Sequence, residues 1–302
     1  MQTDPGNTPE PLRVALASCS NLPDWEVDDR PLHEACAELG LDARVLAWDD
    51  PSVDWAAFDG VLIRTTWDYT ARPEEFVRWA EGVHATTPIF NDPTVVRWNT
   101  RKTYLRELAE RGVPVVPTVW LESGDAFDLP AALEGLGAER GFLKPVIGAS
   151  SESTMRFTAP AELSAAEEFL TEALATRDMM IQPYLDTVES EGERSVLFID
   201  GEVTHCVSKH PVKGDYRTQD DYGASDRPFT PDASELAFAR HAVEATGFED
   251  LLYARVDYLR DASGSPRLIE LELVEPSLFF RHGPGAAMRL ARALRDRAAA
   301  RK

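Results

Sequence analysis

Two kinds of hydrophobic periodicity divide the chain into a first part of alternating strands and helices and a second part dominated by strands. In the first hundred residues, apolar runs that predict strands (LRVALAS, ARVLAW, GVLIRTT, PIFN) alternate with stretches that predict helices (DRPLHEACAEL, PEEFVRWAEGV). This alternation is typical of a parallel sheet covered by helices. We therefore predict an α/β, Rossmann-like domain over residues 1–100, although no GxGxxG dinucleotide fingerprint follows its first strand.

The pattern changes after a predicted helix, NTRKTYLRELAERG, which leads into a proline-flanked strand, VPVVPTVWL. Beyond it, helices are expected near residues 160–175, 232–246 and 284–300, and an Asp200-Gly201 turn predicts a hairpin. The predicted strands are GFLKPV, STMRFT, DMMIQPYL, ERSVLFI, EVTHCVSKH, YARVDYLRD and PRLIELELV. This α+β part is predicted to form two domains, at 101–178 and 179–302.

Charge and composition narrow the classes of partner. The formal charge of −21 over 302 residues repels nucleic acid and anionic lipid, so we expect neither a nucleic-acid nor a membrane partner but a small molecule. Three dispersed cysteines without a CxxC predict neither a disulfide framework nor a cysteine zinc site, and favour a cytoplasmic protein. The polar start, MQTDPGNTPEP, has no apolar signal-like core and is predicted to be a disordered tail.

Lysine is scarce, since only five of the 31 basic residues are lysines. Lys144 ends a predicted strand and precedes a Gly/Ser-rich loop that contains Ser150 and Ser151. An ammonium group beside flexible backbone N–H donors suits a polyphosphate. A surface lysine before an ordinary turn explains this stretch equally well.

The segment MMIQPYL predicts an apolar strand that runs into a proline, where free backbone groups can bind a purine edge. The residues concerned are Gln182, Pro183, Tyr184 and Leu185. Glu193, or less favourably Glu189, would then accept hydrogen bonds from the ribose hydroxyls. The alternative is a buried strand followed by an acidic loop.

A second basic segment, KHPVKGDYRTQ, interrupts the acidic sequence. Arg217 offers a planar fork for phosphate oxygens, and Lys209 and Lys213 offer compact charges. A solvated loop is the alternative interpretation.

Two predicted strands near the end carry acidic residues at alternate positions. Period-2 geometry places Arg255 and Asp257 on one face of their strand, and Glu270 and Glu272 on one face of theirs. If the strands pair, three carboxylates converge, and Mg²⁺ is the natural neutralising ion, usually held by one or two carboxylates and substrate phosphates. A half-exposed strand with one wet face would show the same alternation.

Taken in order, these stretches resemble the ATP-grasp superfamily. The resemblance implies an ATP-grasp fold behind an N-terminal pre-ATP-grasp domain, with ATP and one or two Mg²⁺ ions. It implies phosphate contacts from Lys102 on the first helix of the unit and from Lys144, metal ligation by Asp257, Glu270 and Glu272, and catalytic roles for Arg255, Lys209 and Arg217. The sequence departs from the family at Glu272, where the last metal ligand is usually asparagine.

The ELELVEPSLFF ending and LIRTTWDYTARPEEF are similar to a narrower branch, the cyclo-ligases that convert O-ureido-D-serine into D-cycloserine in antibiotic biosynthesis. This resemblance implies activation of a small carboxylate as an acylphosphate, attack by a nitrogen of the same molecule, and release of ADP and phosphate. The alternatives are an intermolecular carboxylate–amine ligase, a kinase and a catalytically silent ATP-binding protein. A homodimer is compatible with the family. Candidate substrate contacts are Arg64, Trp67, Asp68, Tyr69, Arg281 and His282.

Overall fold

Three separate sheets contain the strands of the computed structural model, which describes residues 10–22, 28–149 and 151–300. The disordered tail predicted at the start, apart from its last residues, lies outside this range. The mixed α/β and α+β architecture agrees with the prediction. Within the described residues, no helix is long and apolar enough to cross a bilayer.

The first sheet is parallel, with strand order β2-β1-β3-β4. Its central strands β1 and β3 are buried on both faces, as expected for a parallel sheet covered by helices, whereas the edge strand β2 is partly exposed. Its elements are β1 (Arg13–Ser18), α1 (Arg30–Glu38), β2 (Asp42–Ala47), β3 (Gly60–Thr65), α2 (Pro73–His84), β4 (Ile89–Phe90) and α3 (Pro93–Asn99).

The second sheet is antiparallel, with order β5-β8-β6-β7, and α5 and α6 pack their apolar faces on it. The boundary expected at residue 178 falls just before β8, which pairs with β5 and β6, so this sheet continues to Pro183. The elements are α4 (Tyr104–Glu110), β5 (Val119–Leu121), α5 (Leu129–Leu136), β6 (Arg140–Pro145), β7 (Met155–Thr158), α6 (Leu163–Leu174) and β8 (Met179–Pro183).

The third sheet is also antiparallel, with order β11-β10-β9-β12-β13. The predicted hairpin is present, and Asp200 and Gly201 both have positive φ, as its two-residue turn requires. The elements are α7 (Thr187–Ser190), β9 (Glu193–Ile199), β10 (Glu202–His210), β11 (Ser225–Pro228), α8 (Ala233–Glu244), β12 (Tyr253–Arg260), β13 (Pro266–Glu272) and α9 (Ala286–Ala299).

The prediction of one continuous helix after residue 99 is wrong. The chain leaves the helical path between α3 and α4, where the Lys102 N–H donates to the Val146 carbonyl (2.9 Å) instead of to a helical partner. Lys102 therefore lies in a turn. The strand predicted over VPVVPTVWL is confined to Val119–Leu121, and α5 and β11 were not predicted.

The first sheet is joined to the third by packing and by one buried asparagine. Apolar residues of β1, β3, β9 and α9 share a single core cluster. At the end of β4, the Asn91 amide donates to the carbonyls of Tyr253 (2.8 Å) and Leu273 (2.7 Å) and accepts from the Leu252 N–H (2.7 Å). Asn91 thus satisfies three buried backbone groups of the third sheet and its continuation.

We predict that Asn91→Ala lowers the free energy of unfolding by about 2–4 kcal/mol, because it leaves buried backbone groups without partners. The φ of 57° at Asn91 adds to this cost, since alanine tolerates that region less well than asparagine. Urea denaturation measures the change, and Asn21→Ala, at an exposed position, is the matched control. A loss no larger than that of the control would contradict the prediction.

Candidate active site

A cleft with a cavity volume of about 240 Å³ lies where the second and third sheets face each other, with one side chain, Trp67, contributed by the first domain. Strands β6 and β8 line one wall, and strands β9, β10, β12 and β13 line the other. Most of the predicted site residues meet here: Trp67, Lys102, Lys144, Ser151, Gln182, Pro183, Tyr184, Leu185, Glu193, Lys209, Arg255, Asp257, Glu270 and Glu272.

The predicted convergence of acidic residues follows from the pairing of β12 with β13. In this antiparallel register Arg255 lies opposite Glu272, and Asp257 lies opposite Glu270. Because side chains alternate along a strand, all four project from the same face of the sheet into the cleft. The alternation seen in the sequence is therefore a charged floor rather than a wet outer face.

Asp257 is held in place by three neighbours. It pairs with Arg255 (2.9 Å) and lies 3.5 Å from the Lys209 Nζ, and the buried Ser195 hydroxyl donates to it (2.6 Å). Burial raises the pKa of this carboxyl, but the charges of Arg255 and Lys209 outweigh burial and leave the pKa below its ordinary value. Asp257 is therefore a carboxylate at neutral pH.

The two glutamates of β13 differ in their neighbours. Glu270 pairs with Lys102 (2.8 Å), and this ammonium outweighs burial, so the pKa of Glu270 is lowered. Glu272 pairs with Arg255, yet burial and the nearby Glu270 and Asp257 raise its pKa to about 8. Burial and the repulsion between these carboxylates therefore favour binding of a further positive charge at Glu272.

This donor set fits a hard divalent cation. Burial of like charges favours a bound cation, and carboxylate oxygens are the ligands that Mg²⁺ prefers. Across the described ranges, no three His, Cys, Asp or Glu side chains are already arranged to hold a metal ion. The arrangement is suited to a site that one or two carboxylates complete together with substrate phosphates.

Two buried lysines face the floor from the opposite side. Lys102 donates to the Gly148 carbonyl (2.6 Å), at the start of the Gly/Ser loop. Lys144 donates to the Ile269 carbonyl (3.1 Å), and burial lowers its pKa to about 8, with Glu270 partly opposing that change. Ser151 of the loop donates to the Gln219 side chain (2.8 Å), whereas Ser150 lies outside the described residues.

The far end of the cleft is apolar and bordered by strand β8. Gln182, at its end, donates to the Thr118 hydroxyl (2.9 Å), and the Tyr184 N–H donates to the Arg140 carbonyl (2.9 Å). Gln182 and Tyr184 line the cleft together with the mainly apolar residues Phe142, Pro183, Leu185, Val188 and Leu259. Its composition is compatible with an aromatic base.

The structure distinguishes the two glutamates considered for the ribose. Glu193 lines the cleft, where it pairs with Lys209 and accepts from the Thr218 hydroxyl (2.6 Å). Glu189 lies outside the lining and is bonded to Arg156 (2.7 Å) and to the Tyr184 hydroxyl (2.7 Å). Glu193 is therefore the better placed of the two.

Arg217 does not line the cleft. Its guanidinium pairs with Asp215 (2.6 Å) and stacks on the Tyr222 ring at 3.7 Å, so the side chain is held within its own loop. A phosphate role for Arg217 requires that this pair opens.

The candidate substrate residues divide into lining and supporting side chains. Trp67 lines the cleft. The Tyr69 hydroxyl lies near the Glu275 carboxyl group, and Glu275 also lines the cleft. The remaining four are held by ion pairs away from the lining: Arg64 with Asp29 (2.8 Å), Asp68 with Arg72 (3.3 Å), and both Arg281 and His282 with Asp226.

Several lining or supporting residues were not predicted, among them Ser195, Glu275 and Phe279. Ser195 is two residues after Glu193, so the strand periodicity that aligns Glu193 with the cleft also aligns Ser195. Phe279 has a φ of 47° and lies 5.6 Å from the Arg255 guanidinium and 5.9 Å from the Lys209 ammonium. No sequence pattern signals a phenylalanine in the left-handed region.

Comparison with known proteins gives two family matches. Residues 14–91 match the N-terminal domain of the D-cycloserine synthetase DcsG, and residues 136–276 match the ATP-grasp domain of prokaryotic glutathione synthetase. The cycloserine biosynthesis protein DcsG of Streptomyces lavendulae is 31% identical over 287 residues, which cover 90% of this chain and 94% of that protein. A glutathione synthetase of Ralstonia nicotianae is 24% identical over 91% of the chain and 75% of its own length.

Solved structures agree with this assignment. The crystal structure of D-cycloserine synthetase DcsG superposes with a TM-score of 0.85 at 31% identity and covers 95% of this chain and 99% of its own. D-alanine–D-alanine ligase of Bacillus anthracis, solved with ATP, superposes with a TM-score of 0.68 at 14% identity. The superposition covers 96% of this chain and 98% of the ligase. At that identity the second likeness shows the fold alone.

Lys144 yields a prediction for nucleotide binding. With its pKa near 8, the free lysine is charged below pH 8 and neutral above it, so binding of a polyphosphate above pH 8 must take up a proton. We predict that the affinity for Mg·ADP falls by up to about tenfold per pH unit between pH 8 and 9.5. Titration calorimetry at several pH values measures this slope.

Lys144→Arg keeps the charge at every pH and is expected to flatten the slope, since arginine does not lose its proton in this range. Lys213→Arg, at an exposed lysine, is the matched control and is expected to keep the slope of the unmodified protein. An equally steep slope in Lys144→Arg would show that another group takes up the proton.

Proposed function

The chain belongs to the ATP-grasp ligases, in the family of the cycloserine biosynthesis protein DcsG, and we propose that it closes a ring within a small amino acid. The substrate carboxylate attacks the γ-phosphorus of ATP, and ADP leaves. A nitrogen of the same molecule then attacks the acyl carbon of the acylphosphate, loses a proton and expels phosphate. The substrate that fits best is O-ureido-D-serine, whose ureido nitrogen bonded to oxygen is the attacking atom. D-cycloserine is the product once the carbamoyl group on that nitrogen is hydrolysed and leaves as CO2 and ammonia.

The observation that carries this proposal is the match of residues 14–91 to the N-terminal domain of DcsG. The ATP-grasp part is common to ligases with many substrates, so it supports the reaction type but not the acceptor. The first domain contributes Trp67 to the cleft and Tyr69 behind it, next to the acidic floor where the carboxylate would be activated. The specific substrate is therefore inferred from the domain that supplies these contacts.

Lys102 and Lys144 are proposed to bind the phosphates. Both are buried at the cleft, and both ammonium groups are at present bonded to backbone carbonyls. Fixed positive charges in a low-dielectric site stabilise the negative charge that develops during phosphoryl transfer. Gly148, whose carbonyl accepts from Lys102, and Ser151 line the same cleft and are proposed to contact the same phosphates.

The ATP-grasp family uses ATP with Mg²⁺, and Asp257, Glu270 and Glu272 are proposed to hold the ion or ions in this chain. When bound, Mg²⁺ would neutralise phosphate charge and orient the transferred group. The extra carboxylate at Glu272, where the family usually has asparagine, supports tight binding of a second ion. Its protonation near neutral pH in the free protein would be reversed by such a cation.

Arg255 is proposed as the catalytic group nearest the reacting carbonyl. Its guanidinium is fixed by Asp257 and Glu272 and donates to the Ser277 carbonyl (2.9 Å), so it is oriented before substrate arrives. A preoriented cation of this kind stabilises the oxyanion of a tetrahedral intermediate. Lys209, held by Glu193 and Asp257, would add positive charge at the ribose and phosphate end.

Product analysis tests the function. With ATP, Mg²⁺ and O-ureido-D-serine, we predict release of ADP and phosphate and formation of D-cycloserine. A coupled assay measures the ADP, and mass spectrometry identifies the product. Glu272→Ala is expected to reduce turnover by about 100-fold or more, because it removes a charged group from the transition-state environment. Glu202→Ala, at the exposed first residue of β10, is the matched control.

Other products would identify the alternatives. A condensed product that contains an added amine indicates an intermolecular ligase, and a stable phosphorylated substrate indicates a kinase. Nucleotide binding without ADP release across a panel of amino acids would indicate a catalytically silent protein.

A further inference from the structure

Glu275 lies where the acidic strand meets the first domain. It is three residues beyond Glu272, is half-buried, and lines the cleft. The Trp67 indole donates to its backbone carbonyl (3.2 Å), and the nearby Tyr69 hydroxyl lowers the pKa of its carboxyl group. Both partners come from the segment after β3, so Glu275 is fixed by the domain that carries the substrate contacts.

Glu275 differs from its acidic neighbours in its lack of a cationic partner. Glu193, Asp257, Glu270 and Glu272 each have a lysine or arginine nitrogen within 4.0 Å. In the part of the chain that the structure describes, no such nitrogen lies that close to the Glu275 carboxylate. Lys102 and Arg255, which lie farther away, lower the pKa of Glu275 but do not offset its burial, so a ligand that brings a positive charge into direct contact is favoured.

The tyrosine that supports Glu275 is itself rigid. Tyr69 is only 5% exposed, and its ring stacks on Phe76 at a centroid distance of 4.9 Å. Its hydroxyl therefore occupies one side of the Glu275 carboxylate at a fixed position. Glu275 itself lines the cleft, so a ligand bound there can reach its carboxylate.

We propose that Glu275, positioned by Tyr69 and Trp67, binds the ammonium group of the amino-acid substrate. This inference rests on the proposed function, because it assumes that an amino acid occupies the cleft. In an α-amino acid the ammonium and carboxylate groups are attached to one carbon, so a group that fixes the first also places the second. Glu275 would thereby hold the substrate carboxylate beside Arg255 and the acidic floor.

This assignment separates Glu275 from the metal site. Asp257, Glu270 and Glu272 lie on the paired faces of β12 and β13, whereas Glu275 lies beyond the end of β13 and is bonded to the first domain. If Glu275 served the metal, its loss would weaken Mg·ADP binding. If it serves the ammonium group, its loss would leave Mg·ADP binding unchanged and weaken only the amino acid.

The experiment compares O-ureido-D-serine with its desamino analogue, in which hydrogen replaces the ammonium group. For Glu275→Gln we expect KM for O-ureido-D-serine to rise about 10- to 100-fold, the loss typical of a charge-assisted hydrogen bond. For the desamino analogue, kcat/KM should change less than about threefold, so the variant loses the preference that the unmodified protein shows. Glu74→Gln, exposed on α2, is the matched control.

Tyr69→Phe keeps the stacked ring and removes only the hydroxyl, so it should shift KM in the same direction by a smaller factor. If Glu275→Gln fails to fold, Tyr69→Phe alone tests whether Glu275 binds the ammonium group. An unchanged preference for the ammonium-bearing substrate in both variants would overturn the inference, as would a weaker Kd for Mg·ADP in Glu275→Gln. Absence of turnover by the unmodified protein with every amino acid would instead overturn the proposed function, and this inference with it.

Discussion

The pairing of β12 with β13 is the constraint on which the site depends, because it brings three carboxylates to one buried face. Asp257, Glu270 and Glu272 would repel one another there without Arg255, Lys102 and Lys209, which pair with them. Even with those pairs, burial and the neighbouring carboxylates raise the pKa of Glu272 to about 8. The free protein is therefore suited to bind a cation and phosphates. The cation would replace the lysines as partner of the carboxylates, and the lysines would then pair with the phosphates.

The surrounding fold keeps this face fixed while leaving the cleft accessible. Asn91 bonds the end of the first sheet to the backbone of the third, and α9 packs against both. The second sheet contributes strands β6 and β8 as one wall of the cleft, together with the Gly/Ser loop, where Lys102 and Gly148 meet. The proposed substrate contacts from the first domain and the proposed phosphate contacts from the second sheet thus converge on one floor, so all three sheets contribute to the proposed site.

Sequence periodicity predicted which side chains share a face wherever the local conformation depends on residue spacing alone. Alternation along YARVDYLRD and LIELELVEPS placed Arg255, Asp257, Glu270 and Glu272 correctly because strand geometry depends only on residue spacing. It failed where tertiary contacts decide the conformation. The turn at Lys102 is set by a bond to Val146, and the inward position of Glu275 is set by Trp67 and Tyr69, some 200 residues earlier in the chain. Arg217 was expected at the phosphates, yet the nearby Asp215 holds it away from the lining.

Activation of the carboxylate by phosphoryl transfer is the central claim, and isotope transfer tests it most directly. If the substrate carboxylate carries oxygen-18, attack on ATP places a labelled oxygen between carbon and phosphorus, and nitrogen attack then releases it with phosphate. Mass spectrometry of the released phosphate should find one oxygen-18 atom per turnover. Unlabelled phosphate formed together with cyclised product would contradict an acylphosphate, and with it the roles assigned to the cleft.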